Sequence, residues 1–377
     1  MKKKRIWIGI SFFLMIISLT WATIASAALN AELQISGEAR FQSADGINCD
    51  LESNNHFLQC RVINSFGGRS VVEARNIPNL ANVANNGNRN THEGLFAMED
   101  DLGTAYFFRG THQLNNNVIF AGHQWKILRI DGNGNIRMIY NGVCPNNSCI
   151  INGNTAGDAA TIGYTAFNQQ FNDNAFVGFM YGIPESDTHE LTHQNINSSH
   201  IKNYLTNWLN SNIPEASRNR IANSPFCIDR SVNPEPDTWR PGINDTALGF
   251  RRHITDYGSV GRLHSTPANF RPQLVCPRPQ DIVNVPIGLI NADEVNLAGG
   301  RHISANQDYF LRTGEWYWTM SPWAFGGIRA IMFRVGPNGN LTYHDVDAPG
   351  PVRPVISLLP HTIATGTGTA TDPYIVP

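Results

Sequence analysis

The sequence carries little charge. Of its 377 residues, 15% are Asp, Glu, Lys or Arg, against roughly 25% in an ordinary globular chain. The formal net charge is −2, so the electrostatic footprint of a nucleic-acid binder is missing. Glycine-rich phosphate loops of the Walker or Rossmann type do not occur, nor does a Gly-x-Ser-x-Gly nucleophile elbow. The closely spaced cysteine pairs of a zinc ribbon are also absent. Beyond the first 27 residues no apolar run is long enough to span a membrane. What is present is enough for a sizeable core: 41% of residues are hydrophobic and 10% aromatic. The length leaves room for one large domain or two ordinary ones. The 33 glycines and 21 prolines follow no fixed period, which implies many turns and few long helices.

Residues 1–27 read as an export signal. Lys2, Lys3, Lys4 and Arg5 precede a mostly apolar run from Ile6 to Ile24, and Ala25-Ser26-Ala27 offers the small-x-small pattern of a cleavage site. The alternative is an uncleaved membrane anchor, since the run is about long enough to span. Cleavage after Ala27 would take the formal charge from −2 to −6. The six cysteines fit export, because an even count in a secreted chain suggests disulfides. Spacing favours Cys49 with Cys60 and Cys144 with Cys149, which leaves Cys227 with Cys276.

Residues 28–62 alternate weakly around Leu33, Ile35 and Phe41, and read as a small β segment with a cysteine loop. Residues 63–93 are rich in Asn, Gly, Ser and Arg and read as a linker. From 94 to 377 the pattern is that of the main domain. Thr104–Arg109 and Val118–Phe120 are β-prone, and Asp131-Gly132 joins two alternating runs as a hairpin turn. A calcium loop at this turn lacks the further oxygen ligands it needs. Ile201, Tyr204, Leu205, Trp208 and Leu209 recur at helical spacing after Ser198 or Ser199, and Pro214 stops the run. A second helix is predicted from Asn291, with Glu294 completing a capping box and Gly299-Gly300 ending it. Strands are expected over Arg329–Val335, Asn340–Val346 and Val352–Leu359, with Trp318, Met320 and Phe333 in the core.

Three features invite chemistry. His189-Glu190-Leu191-Thr192-His193 matches the H-E-x-x-H pattern. On a helix it sets two histidines on a zinc, with the glutamate as general base. The segment leading into it is polar and reads as a loop, and no third ligand stands at a familiar spacing. Glu235-Pro236-Asp237 and the poorer Ile243-Asn244-Asp245 are similar to the sugar-binding tripeptides of C-type lectins, but also suit a surface turn. Near the C-terminus, Trp323, Arg329, Tyr343, His344 and Asp345 are candidate ligand-binding residues, because aromatic and Arg groups dominate binding hot spots. Strand alternation sends Tyr343 and Asp345 one way and His344 the other.

Several stretches together resemble a family of exported Gram-positive (Firmicutes) surface proteins. These are Asp101–Gly110, Trp125–Gly134, Phe226–Ser231, Ile287–Glu294, Tyr317–Pro322 and Val352–Leu358. In relatives of this pattern the segment around His189 lacks the first histidine and the glutamate. The closing Gly350-Pro351-Val352-Arg353-Pro354 is similar to the G-x-R-P-like strand of C-type-lectin-like folds. Formylglycine-generating enzymes and retroelement variable proteins use that fold. The resemblance implies a C-type-lectin-like main domain, and supplies no activity.

The reading is an α+β, β-rich protein with few helices, extracytoplasmic, secreted or at the cell surface. It would bind an extracellular glycan or protein without a cofactor and without catalysis. A zinc hydrolase using His189, Glu190 and His193 is the first alternative. An envelope or filament subunit with a strand donated from Ala28–Phe41 is the second. Membrane contact would come only through the N-terminal segment, if that is retained.

Overall fold

The structure is a computed structural model. It describes residues 94–149, 156–233, 254–263, 270–302, 304–360 and 362–377 except 363 and 367. Before residue 94 it describes the backbone of four strands only. The signal segment, both lectin-like tripeptides and most of the Ala28–Phe41 stretch lie outside the described residues.

The fold is β-rich with short helices. Its largest sheet begins with β1 (Arg40–Gln42), β2 (Ile47–Glu52), β3 (Phe57–Val62) and β4 (Ser70–Asn76). It continues through β5 (Gly94–Asp100) and β6 (Gly103–Arg109) to β7 (Asn117–Phe120), β8 (His123–Ile130) and β9 (Ile136–Val143). Strand β4 lies inside the 63–93 stretch. The β-branched pair Val71-Val72 lies in a strand that pairs antiparallel with β3 and parallel with β5. Cys49 and Cys60 face each other across β2 and β3; their side chains lie outside the described residues.

The Asp131 turn closes the β8–β9 hairpin as expected. Its carboxylate accepts the backbone N–H groups of Asn133 and Asn135 and the side-chain amide of Asn135. Strand β8 pairs with β9 along one edge, and with β7 and β6 along the other. Seven of its eight residues are buried, so its polar members need internal partners. Arg129 pairs with Asp100 and Glu294, and Arg137 on β9 reaches the same Glu294 at 2.9 Å. Glu294 also accepts the Asn291 N–H of the expected capping box. One carboxylate thus starts a helix and bridges two buried guanidiniums, with Asp100 supplying the second negative charge, and the opposite charges hold it below the usual carboxylate range although burial pushes the other way.

The next elements are mostly short. Strands β10 (Tyr164–Thr165), β11 (Met180–Tyr181) and β12 (Asn197–Ser198) are two-residue pieces. Helix α1 (His189–Thr192) is a single turn and α2 (His200–Asn212) is the one long helix among the described residues. Ser199 caps α2, and Ile201, Leu205 and Leu209 are buried. Each such side chain contributes about 1.5–3 kcal/mol by leaving water. After α3 (Glu215–Arg218) come β13 (Ser224–Cys227), β14 (Thr255–Asp256), α4 (Gly258–Leu263) and β15 (Ile282–Val285). Helix α5 (Ala292–Ala298) ends at Gly299, whose φ of 130° is open to glycine but strained for other residues.

The C-terminal sheet orders β14, β16 (Tyr317–Phe325), β17 (Ala330–Val335) and β18 (Leu341–Asp345). Trp318, Met320 and Phe333 are fully buried, as expected. Strands β19 (Gly350–Pro351), β20 (Val355–Leu358) and β21 (Tyr374–Val376) follow. The closing strand is shorter than the predicted Val352–Leu359, because Pro354 cannot donate to a ladder. It joins the large sheet through β9. The Gly350–Pro354 motif has a packing role. A Cβ on Gly350 would come 2.1 Å from the Trp316 ring. Arg353 is buried, donates to the Tyr140 and Leu311 carbonyls and Asn141 Oδ1, and lies over the Tyr317 ring. Disulfides join Cys144 to Cys149 and Cys227 to Cys276, which indicates an oxidising environment.

Candidate functional site

Strand β18 sits at the edge of its sheet and turns two different faces outward. Its register with β17 sets Tyr343 opposite Phe333, Asp345 opposite Ile331, and His344 opposite Met332. Directly opposed residues share a face, and alternate residues share it too. Tyr343 and Asp345 therefore lie on one side with Arg329, two residues before Ile331. His344 lies on the other.

Trp323 reaches the Tyr343 side through a bulge. Pro322 opposes Met332 and Ala324 opposes Ile331, so Trp323 is an extra residue on β16. Bulges re-aim side chains in this way. The Trp323 ring lies 4.3 Å from Tyr343 at 30°, and 4.6 Å from Phe333 edge to face. The His302 ring lies 5.2 Å from the same indole, tilted by 30°. Tyr343 is 47% exposed while Trp323 is half-buried, so the pair forms a platform with one open side.

Beside it Arg329 pairs with Asp345 at 3.0 Å and Asp347 at 3.4 Å, and lies 4.8 Å over the Phe171 ring. Phe171 is held there by its carbonyl, which accepts the Ala330 N–H. Next to Phe171 opens a groove of about 510 Å³ lined by Gln170, Asn172, Asp173, Glu185, Gly327 and Ile328, among others. Asp173 builds its wall. It is buried, and its two carboxylate oxygens accept the N–H groups of Ala175 and Glu185. That ties the 173 loop to the 185 loop and holds Glu185 at a left-handed φ of 64°. Ile328, 74% exposed, stands at the rim.

The structure thus brings together Trp323, Tyr343, Arg329 and Asp345. It separates His344, which stacks on Trp316 at 5.3 Å across the sheet, with Arg334 over the same Trp316 ring. Burial and the neighbouring Arg334 lower the His344 pKa. Sequence reasoning missed Phe171, Asp347 and the groove loops. Asp347 was within reach, two residues beyond Asp345. Phe171 carried no signal, because its place depends on a contact with a strand far along the chain.

The His189–His193 motif lies elsewhere, and the loop expected there is a single helical turn capped by Thr188. Its imidazoles stack face to face at 4.0 Å. Each ring nitrogen faces protein. His189 Nε2 contacts the Arg230 carbonyl, and its Nδ1 faces Arg278. His193 Nδ1 contacts the His189 carbonyl at 2.8 Å, and its Nε2 the Tyr257 hydroxyl at 2.7 Å. Burial, with Arg278 and Arg230 adding to it, pushes His189 down to about 4. Burial also drives His193 well below its ordinary value. Glu190 is exposed. Among the described residues no group of three His, Cys, Asp or Glu stands close enough to hold a metal. The motif is woven into a packing network with Arg230 and Asp281, and the nitrogen lone pairs a zinc would need are engaged in it.

No family model, curated protein or solved structure matches this chain. No helix among the described residues is long and apolar enough to cross a membrane.

Proposed function

We propose that the protein is a secreted or cell-surface ligand-binding protein, non-enzymatic, that contacts an extracellular glycan or protein through the Trp323–Tyr343–Arg329 face. The observation that carries this reading is a half-open aromatic platform continuous with a cation stacked on Phe171 and a polar groove. Aromatic faces take up the apolar faces of sugars or apolar side chains, and the flanking carboxylates, amides and guanidinium give hydrogen-bonding direction. The groove loops are held by buried hydrogen bonds, so little ordering cost falls on binding. In this reading the main domain is C-type-lectin-like and belongs to exported Gram-positive surface proteins. Its C-terminal strands display the contact residues ahead of the closing Arg353 strand. The disulfides support an extracytoplasmic location.

The test is binding of the oxidised chain to an array of extracellular glycans and a panel of surface glycoproteins, beside a Trp323→Ala/Arg329→Ala/Tyr343→Ala variant. The expected result is binding by the parent that falls at least about tenfold, roughly 1.4 kcal/mol, in a variant that still unfolds cooperatively. Unchanged binding by the folded triple variant overturns the placement.

A further inference from the structure

The large sheet contains a lysine that the site does not use. Lys126 on β8 is 1% exposed, and Asn117, directly opposite on β7, is fully buried. Lys126 Nζ lies 2.5 Å from Asn117 Oδ1, closer than the 2.7–3.2 Å of an ordinary N–H···O bond. That oxygen is the lysine's one hydrogen-bond partner among the described residues, and no carboxylate there pairs with it. The charge that acts on it is the Arg353 guanidinium, which is also a cation. An ammonium ion in this place would be buried, uncompensated and repelled, the costliest way to place a lysine. Burial and Arg353 accordingly push Lys126 down to about 8, so the amine loses its proton easily and becomes nucleophilic.

The asparagine is fixed in turn. Its Nδ2 donates to the carbonyls of Gly368 at 2.9 Å and Leu114 at 3.3 Å. A carbonyl bond is about 1.23 Å long, so Cγ stands within about 3.7 Å of Nζ, close to the 3–3.5 Å of a near-attack arrangement.

We propose that Lys126 and Asn117 become joined by an intramolecular isopeptide bond. The neutral Nζ adds to Cγ, forming the new C–N bond. A proton passes from Nζ to Nδ2, the Cγ–Nδ2 bond breaks, and ammonia leaves. No oxidant or reductant takes part. A primary amide is a poor electrophile, and the enforced proximity of two buried groups supplies the rate, with effective molarities of about 10⁵–10⁸ M for well-oriented pairs. The product is a neutral amide in place of a cation beside Arg353. It ties β7, which carries the parallel strand β21, to the centre of the sheet.

Peptide mapping of the purified, full-length chain by mass spectrometry tests the proposal. Both residues fall between Arg109 and Arg129, and the only trypsin site between those two arginines is Lys126 itself. The expected result is a 110–129 peptide, uncut at Lys126 and lighter by one ammonia. Cutting that peptide after Phe120 should leave its two halves joined, which separates the cross-link from ammonia loss by cyclisation at Asn115 or Asn116. Lys126→Arg and Asn117→Ala variants should each return to full mass with separable halves. Recovery of 110–126 and 127–129 at full mass from the parent chain overturns the proposal, whether or not the variants fold. So does a joined pair that survives Asn117→Ala.

Discussion

The His189–His193–Arg230 cluster and the Trp323–Tyr343–Arg329 face are built from the same kinds of side chain under opposite conditions. Both contain stacked aromatic rings and a guanidinium with carboxylate partners, Asp281 for Arg230 and Asp345 with Asp347 for Arg329. In the first, Arg230 is fully buried and donates to the carbonyls of Met180 and His193, to Asn195 Oδ1, and toward Asp281. In the second, Arg329 is 44% exposed with its carboxylate partners at 35% and 30%. Residue type announces chemistry equally in the two places, and the H-E-x-x-H spacing announces it louder in the first. Burial and satisfied partners decide otherwise. A histidine whose two nitrogens are both engaged inside the fold is part of the packing, whereas a tyrosine half open beside a tryptophan still has surface to give a ligand.

Substituting Arg230 should show the largest effect. Arg230→Ala leaves Asp281 deprived of a buried partner and opens three acceptors, and removal of one member of a buried pair costs about 3–5 kcal/mol. The denaturant midpoint should fall accordingly or the chain should fail to accumulate. A loss under about 1 kcal/mol would erase the contrast between the two clusters, since that is what a surface pair costs.

Acid should distinguish them next. His189 stays neutral in the folded chain down to about 4, from an ordinary value of 6.5. Between those values the unfolded chain holds the extra proton and the folded chain does not. Stability therefore falls as pH drops through this window, by on the order of 3 kcal/mol for His189 at its lower end. Burial of His193 acts in the same direction. Unfolding followed at pH 7.5, 5.5 and 4.5 should show the decline, and a His189→Phe/His193→Phe variant should flatten it. An equally steep decline in that variant would place the acid sensitivity in the carboxylates.

Trp323→Ala stands between the extremes. The indole packs on Phe333, His302 and Tyr343 and is only half-buried, so its loss should cost about 1–2 kcal/mol of stability, below the 3–5 kcal/mol of a fully buried tryptophan. Calorimetric unfolding measures it. A cost in the upper range would make Trp323 a core residue and leave Tyr343 alone as the platform.

Much of the scaffold was legible in the sequence because its signals are local. The Asp131-Gly132 turn, the Ser199 cap, the Asn291–Glu294 capping box and the Gly299 stop each lie within a few residues of what they control. The stretches that carry the family resemblance are largely structural ties. Cys227, Asp229 and Arg230 fall in one, Glu294 in another and Arg353 in a third, and each is tied to a partner far along the chain. Strand β4 was hidden inside a polar stretch, since a strand at a sheet join needs only a short β-branched core to pair. The candidate face was half legible. Alternation separated His344 from Tyr343, while the Phe171 contact and the groove arise from long-range packing that no spacing rule encodes. The helical turn at His189 was missed because one turn carries no periodicity to read.

Arg329→Gln should give the smallest stability change and so sharpens the comparison most. The guanidinium is half exposed and its two carboxylates are partly solvated, and such pairs contribute about 0–1 kcal/mol. The substitution keeps a polar side chain over Phe171 but removes the charge. The denaturant midpoint should move by less than about 0.5 kcal/mol, whereas binding of any ligand that engages the face should weaken by about tenfold and lose part of its salt dependence. Asp345→Asn/Asp347→Asn supplies the opposite sign. It frees Arg329 from its carboxylates and should strengthen binding of an acidic ligand while weakening binding of a basic one. Equal effects of both variants on stability and none on binding would make Arg329 a fold residue like Arg230, and the difference between the two clusters would then be one of exposure alone.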